Sequence, residues 1–146
     1  LKKQENGVYI LILKLKEDQR LSAGKLPETN FKSGIYLYVG RARHSLQERL
    51  RRHLRKEKKL FWHIDYFLQK ATIEEAWIKR DFFDECQTAL EVKNFFSNSL
   101  YPQKKFGSSD CSCTSHLIYL PRNKRNLECL RKKLSFEKVN IHGNKT

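Results

Sequence analysis

Gly7-Val8-Tyr9-Ile10-Leu11-Ile12-Leu13-Lys14-Leu15 is the stretch that decides the fold. Its β-branched and aliphatic residues follow one another almost without a polar break, which predicts a strand buried in a core. A second run of the same kind, Gly34-Ile35-Tyr36-Leu37-Tyr38-Val39-Gly40, ends on a glycine. In a strand, Tyr36 and Tyr38 point to one face and Leu37 to the other. Between the two runs, Lys16–Arg20 reads as a polar turn, Leu21–Lys25 as a short strand and Pro27–Ser33 as a loop.

Beyond Gly40 and the basic loop Arg41–His44, Ser45-Leu46-Gln47-Glu48 has the form of a capping box, which opens a helix. Leu46, Leu50 and Leu54 follow at helical spacing and are expected to face the core, with the helix fading near Lys58. Further elements are a helix over Leu60–Lys70, a strand over Ile73–Lys79, a helix over Phe82–Phe96 and a strand over Leu117–Leu120. Tyr101–Ser115 reads as a long loop. The order β-β-β-α-α-β-α-β predicts an α+β domain with a small central antiparallel or mixed sheet flanked by helices. Residues 1–121 are assigned to this domain and 122–146 to a basic C-terminal extension, with a helix predicted at Leu127–Leu134.

The 146 residues suffice for one domain, and 39% of them are hydrophobic. Thirty Lys and Arg oppose sixteen Asp and Glu, a formal charge of +14. That imbalance favours a polyanionic partner: nucleic acid, with an anionic membrane surface as the competing reading. The longest apolar run, Val8–Leu13, is far short of the roughly 20 residues that span a bilayer. Lys2 and Lys3 introduce no secretory signal, so a cytoplasmic protein is expected, with its four cysteines reduced.

Several side chains could carry chemistry. Arg49 and His53 lie one helical turn apart beside the leucine stripe. A guanidinium at that edge suits bidentate contact with phosphate. Arg41, Arg43, Arg51, Arg52, Arg55 and Lys56 surround the pair as candidate DNA contacts, or as a merely solvated basic face. Glu85 falls on the stripe of Phe82, Ala89, Val92 and Phe96; it is either a helix-start salt bridge or an inward metal ligand. In Trp62-His63-Ile64-Asp65-Tyr66, His63 and Asp65 form either a buried hydrogen-bonded pair or part of a site. Cys111, Cys113 and His116 lack the usual C-x-x-C spacing, with Cys86 the obvious distant fourth ligand. Buried thiols are preferred, and zinc is not expected.

Taken in order, Gly7-Val8-Tyr9, Tyr38-Val39-Gly40, Arg49, His53 and Glu85 resemble the GIY-YIG nuclease superfamily. Gly34-Ile35-Tyr36 spells the first motif too, but one residue separates it from Tyr38, whereas the family pairs two strands. The enlarged segment Ile10–Leu37, the stretch WHIDY at 62–66 and the pattern of 106–116 resemble a stand-alone prokaryotic group of unassigned function within it. The resemblance runs from about Asn6 to Pro121. It implies a metal-dependent DNA endonuclease, structure-directed and tied to repair or recombination, with one Mg²⁺ or Mn²⁺. DNA, structured or damaged, is the implied partner, alone or with a larger repair protein. Tyr9 would be the general base, its pKa lowered by Arg49, which would also contact the scissile phosphate. Glu85 would hold the metal, Tyr38 and His53 would orient water and phosphate, and His63 would be a further proton carrier. The alternative is a nucleic-acid-binding module without catalysis.

Overall fold

A computed structural model describes residues 5–109, 111–121 and 126–141. The elements run β1 (Gly7–Leu15), β2 (Gln19–Leu21), β3 (Thr29–Phe31), β4 (Gly34–Ala42), α1 (Leu46–Leu54), α2 (His63–Phe67), β5 (Thr72–Arg80), α3 (Glu85–Phe95), β6 (Leu117–Leu120), α4 (Leu127–Leu134) and β7 (Glu137–Val139). The class is α+β, as expected. The main sheet has the order β6-β4-β1-β5-β7, and every pairing in it is antiparallel.

The central place of β1 explains its almost unbroken apolar run, because helices cover the sheet on both faces. Tyr9, Leu11, Leu13 and Leu15 join Tyr36, Tyr38, Leu46, Leu50, Ile64 and Phe67 in one core. Val8, Ile10 and Ile12 join Leu37, Trp77, Val92, Leu130 and Leu134 in the other. Alternate side chains of one strand thus anchor two cores, and only Lys14, near the strand's end, is exposed. Tyr36, fully buried against Phe31, Phe67 and Tyr119, is a core residue.

Several details differ from the sequence reading. The second strand is Gln19–Leu21 and pairs with Thr29–Phe31, inside the span read as a loop. Three-residue strands show no alternation; buried Phe31 anchors this pair. The helix expected from Leu60 begins at His63, because the Asp65 carboxylate takes the N–H groups of Phe61 and Trp62 at 2.8 Å each. The helix expected from Phe82 begins at Glu85, capped by Asp84, whose carboxylate accepts from Gln87 N. In α1 the buried stripe is Leu46, Leu50 and His53; Leu54 is 39% exposed.

The segment after Pro121 is built into the fold. The predicted helix at Leu127–Leu134 is α4, with Leu127, Leu130 and Leu134 in the second core. β7 then hydrogen-bonds to β5, pairing Ala76–Ile78 with Val139–Glu137. A boundary at 121 therefore cuts through both sheet and core. Among the described residues, no helix is long and apolar enough to cross a membrane.

Candidate active site and a cysteine–histidine cluster

Two glycines let β1 and its neighbours close on one another. Tyr9 lies opposite Gly40 in the β1–β4 ladder, and a Cβ on Gly40 would stand 2.4 Å from both Cζ and the hydroxyl oxygen of Tyr9. Only hydrogen at that position lets the phenol lie across β4. A Cβ on Gly7 would meet the Lys79 carbonyl oxygen at 2.2 Å. The phenol reaches α1, where its oxygen lies 2.7 Å from His53 Nε2. The Tyr38 ring completes the group, 6.4 Å from the centroids of both Tyr9 and His53.

Burial dominates the protonation of this pair. It pushes the Tyr9 phenol up to about 12, against Arg49, whose charge and hydrogen bonding favour the phenolate. The expected lowering by Arg49 is therefore real but outweighed. Burial also pushes His53 down to about 3; Asp65 opposes that, while Arg49, Arg52 and Lys58 add to it. At neutral pH a protonated phenol thus faces a neutral imidazole. With the ring proton on Nδ1, Nε2 accepts from the Tyr9 hydroxyl; among the described residues, buried Nδ1 has no hydrogen-bond partner.

Trp62 organises the arginines. The guanidinium carbons of Arg49 and Arg52 each lie 4.3 Å from its ring centre. Arg49 also donates to the Arg41 carbonyl at 2.8 Å. Arg52 donates to both oxygens of Asp65, at 2.8 and 2.9 Å, and to the Lys59 carbonyl. Fully buried Asp65 is therefore saturated. Burial pushes its carboxyl up, but Arg52 and the two backbone donors prevail and hold it below the usual range. This arrangement was not read from the sequence, although Arg49 and Arg52 are spaced to share a helix face.

The candidate DNA contacts separate accordingly. Arg52 is committed to Asp65, and Arg41 stacks on Phe83 at 5.5 Å. Arg43, Arg51, Arg55 and Lys56 are exposed. Arg49, Arg51, Arg52 and Arg55 line a cleft of about 380 Å³ with His44, Ser45 and Glu48. His63 is drawn elsewhere. Its Nδ1 accepts from Gly107 N at 2.8 Å, and its ring packs on Phe106. The His63–Asp65 hydrogen bond, one of the two readings of this stretch, does not form; Nδ1 of His63 instead anchors the loop at Gly107.

Glu85, in the first turn of α3, faces two ways. Its charge raises the pKa of both Tyr9 and Tyr38. Its Oε2 lies 3.3 Å from Nδ1 of buried His116. The other ring nitrogen, Nε2, lies 3.7 Å from Sγ of both Cys86 and Cys111. The ligand atoms of Cys86, Cys111, Cys113 and His116 all fall within 4.8 Å of one another. The folding of α3 against the 106–116 loop has brought the distant fourth candidate to the other three.

A protein family described as a domain of unknown function, DUF123, matches residues 8–139. The chain belongs to this family. No curated protein and no solved structure matches it. The DUF123 match begins in β1 and ends on the last residue of β7, so it takes in α4 and β7. It contains the Tyr9–His53 pair, the arginine cleft and the cysteine–histidine cluster.

Proposed function

We propose that this DUF123 domain is a metal-assisted DNA endonuclease of the GIY-YIG kind, acting on structured or damaged DNA in repair or recombination. The observation that carries the reading is the Tyr9 hydroxyl held 2.7 Å from a neutral His53, with Arg49, which lines the arginine cleft, acting on the same phenol. A phenol with its pKa near 12 is a poor base alone. Coupled to His53, it can accept a proton from water as its own proton moves to Nε2. The water oxygen then bonds to phosphorus, and the phosphate–sugar bond on the far side breaks. Arg49, at the cleft, would contact the scissile phosphate and offset the charge that develops there. Tyr38 would orient water and phosphate.

Of the carboxylates whose charge reaches both tyrosines, Asp65 has its oxygens occupied by four donors, whereas Glu85 is half-buried with its Oε2 turned to His116. One such carboxylate suits Mg²⁺ or Mn²⁺, which keep most of their ligands as water. Bound at Glu85, the ion would neutralise the leaving oxygen. Phe61, 74% exposed beside Trp62, offers a face on which an unstacked base could lie, which supports a structure-directed substrate.

The rival reading, a nucleic-acid-binding module without catalysis, draws on the 1% exposure of Tyr9. A cleavage screen with Mg²⁺ or Mn²⁺ on duplex, single-stranded, flap, branched and damaged DNA separates the two. Metal-dependent cutting of at least one structure, lost in Tyr9→Phe, is expected. Tight binding with no cutting of any of them would establish the rival.

A further inference from the structure

Cys86, Cys111, Cys113 and His116 are not arranged as buried thiols usually are. A structural free cysteine packs its sulfur against apolar neighbours. Here three half-buried thiols, from α3 and from a loop some 25 residues on, converge on one another and on an imidazole nitrogen. In tetrahedral zinc, bonds of about 2.3 Å to sulfur and about 2.0–2.1 Å to nitrogen set ligands roughly 3.5–3.8 Å apart. The two sulfur-to-Nε2 separations are 3.7 Å.

The imidazole is also prepared on its far side. Metal-bound histidine normally gives its second ring N–H to a carboxylate or carbonyl, which fixes the tautomer and turns the bare nitrogen to the metal. Glu85 Oε2 lies at ion-pair distance, 3.3 Å, from His116 Nδ1, on the side where such a carboxylate belongs. The surrounding backbone is pinned: His116 N donates to the Phe106 carbonyl at 2.8 Å, Val39 N donates to the His116 carbonyl at 3.0 Å, and Ser108 Oγ donates to the Cys113 carbonyl at 3.2 Å. The ligands are therefore held by the sheet and by a closed loop.

We propose that Cys86, Cys111, Cys113 and His116 bind one Zn²⁺ in a closed Cys₃His site, with Glu85 orienting His116. Four protein ligands leave no position for water or substrate, so the site is structural. It fastens the start of α3 to the 106–116 loop, which lies against Tyr38: a Cβ on Gly107 would stand 2.9 Å from that ring and 3.3 Å from His116 Cβ. This reverses the expectation from spacing alone. It shares Glu85 with the nuclease reading, but zinc content is measured without any substrate, so either proposal can fail without the other.

Protein purified without chelator, under a phosphine reductant, should contain one zinc per chain by elemental analysis. Cobalt exchanged into the wild-type chain should give the strong visible bands of a tetrahedral, thiolate-rich site. Removing the metal should lower the melting temperature, and zinc but not magnesium should restore it. Glu85→Gln should retain zinc but bind it about 10–100-fold more weakly. Cys113→Ser should lose it. Three results would overturn the proposal: wild-type protein with four titratable thiols and no zinc, stoichiometric iron in its place, or, in a sample purified and unfolded without any reductant, two fewer thiols, which would mean a disulfide. None of these requires a variant to fold.

Discussion

The Tyr9–His53 pair makes two measurable demands. Tyr9→Phe keeps the ring that Gly40 accommodates and removes only the oxygen, leaving His53 Nε2 buried without its partner. It should abolish metal-dependent cleavage, leave DNA affinity unchanged and cost about 1–3 kcal/mol of stability in urea unfolding. Retained cleavage would remove the phenol from the chemistry. His53 brings a pH dependence of known sign. Its pKa falls from 6.5 to about 3 on folding, so between those values the unfolded chain binds the extra proton. The stability that depends on neutral His53 is complete above about pH 6.5 and is lost as pH falls towards 3. His53→Gln should flatten that part of the stability curve by up to about 1.4 kcal/mol per pH unit, read from urea midpoints across the window. At this scale the sequence named Tyr9, Tyr38, Arg49 and His53, and the structure gathers them. It could not show that burial outweighs Arg49, because burial depends on everything packed above the ring. Nor could it show that Asp65 would choose Arg52 over the nearby His63.

Helix α1 carries two kinds of arginine that a count of charges merges. Arg51 and Arg55 are exposed on the cleft wall, with Lys56 exposed beside them, whereas Arg52 is clamped between Trp62 and Asp65. Neutralising Arg51, Arg55 and Lys56 together should weaken DNA binding and reduce its salt slope by about one unit per lost phosphate contact, with the melting temperature unchanged. Arg52→Ala should do the reverse to the fold. It leaves a fully buried carboxylate with its two backbone donors but no countercharge, so unfolding should become easier by about 3–5 kcal/mol. Equal effects of the two changes on stability would contradict the division. Ser45 and the leucines announced α1 in the sequence, because a cap and a 3.6-residue stripe are local signals. The β2–β3 pair and the true start of α2 were hidden, because a tertiary partner, Phe31 in its core or Asp65 on its arginine, decides each.

For the whole molecule, the decisive feature is a sheet covered on both faces. Removing everything after Pro121 would strip α4 from Trp77 and Val92 and leave β5 without its outer partner. Such a chain should express as aggregate, or show no cooperative melting; a folded, soluble 1–121 fragment would restore the boundary read from the sequence. The edge position of β7 also has a consequence for synthesis on the ribosome. The outer edge of β5 is complete at Arg80, but the strand that covers it begins at Glu137, so 56 intervening residues must first be translated. At 5–20 residues per second that edge stays bare for roughly 3–11 seconds. A bare edge invites pairing with another nascent chain, and charged side chains are a usual defence. Glu74, Glu75, Lys79 and Arg80 give β5 charge near both ends, and Arg80 and Glu75 later form ion pairs with Glu137 and Lys138 of the arriving strand. The charges that bind β7 to the finished sheet are thus also placed to keep β5 from strangers while it waits.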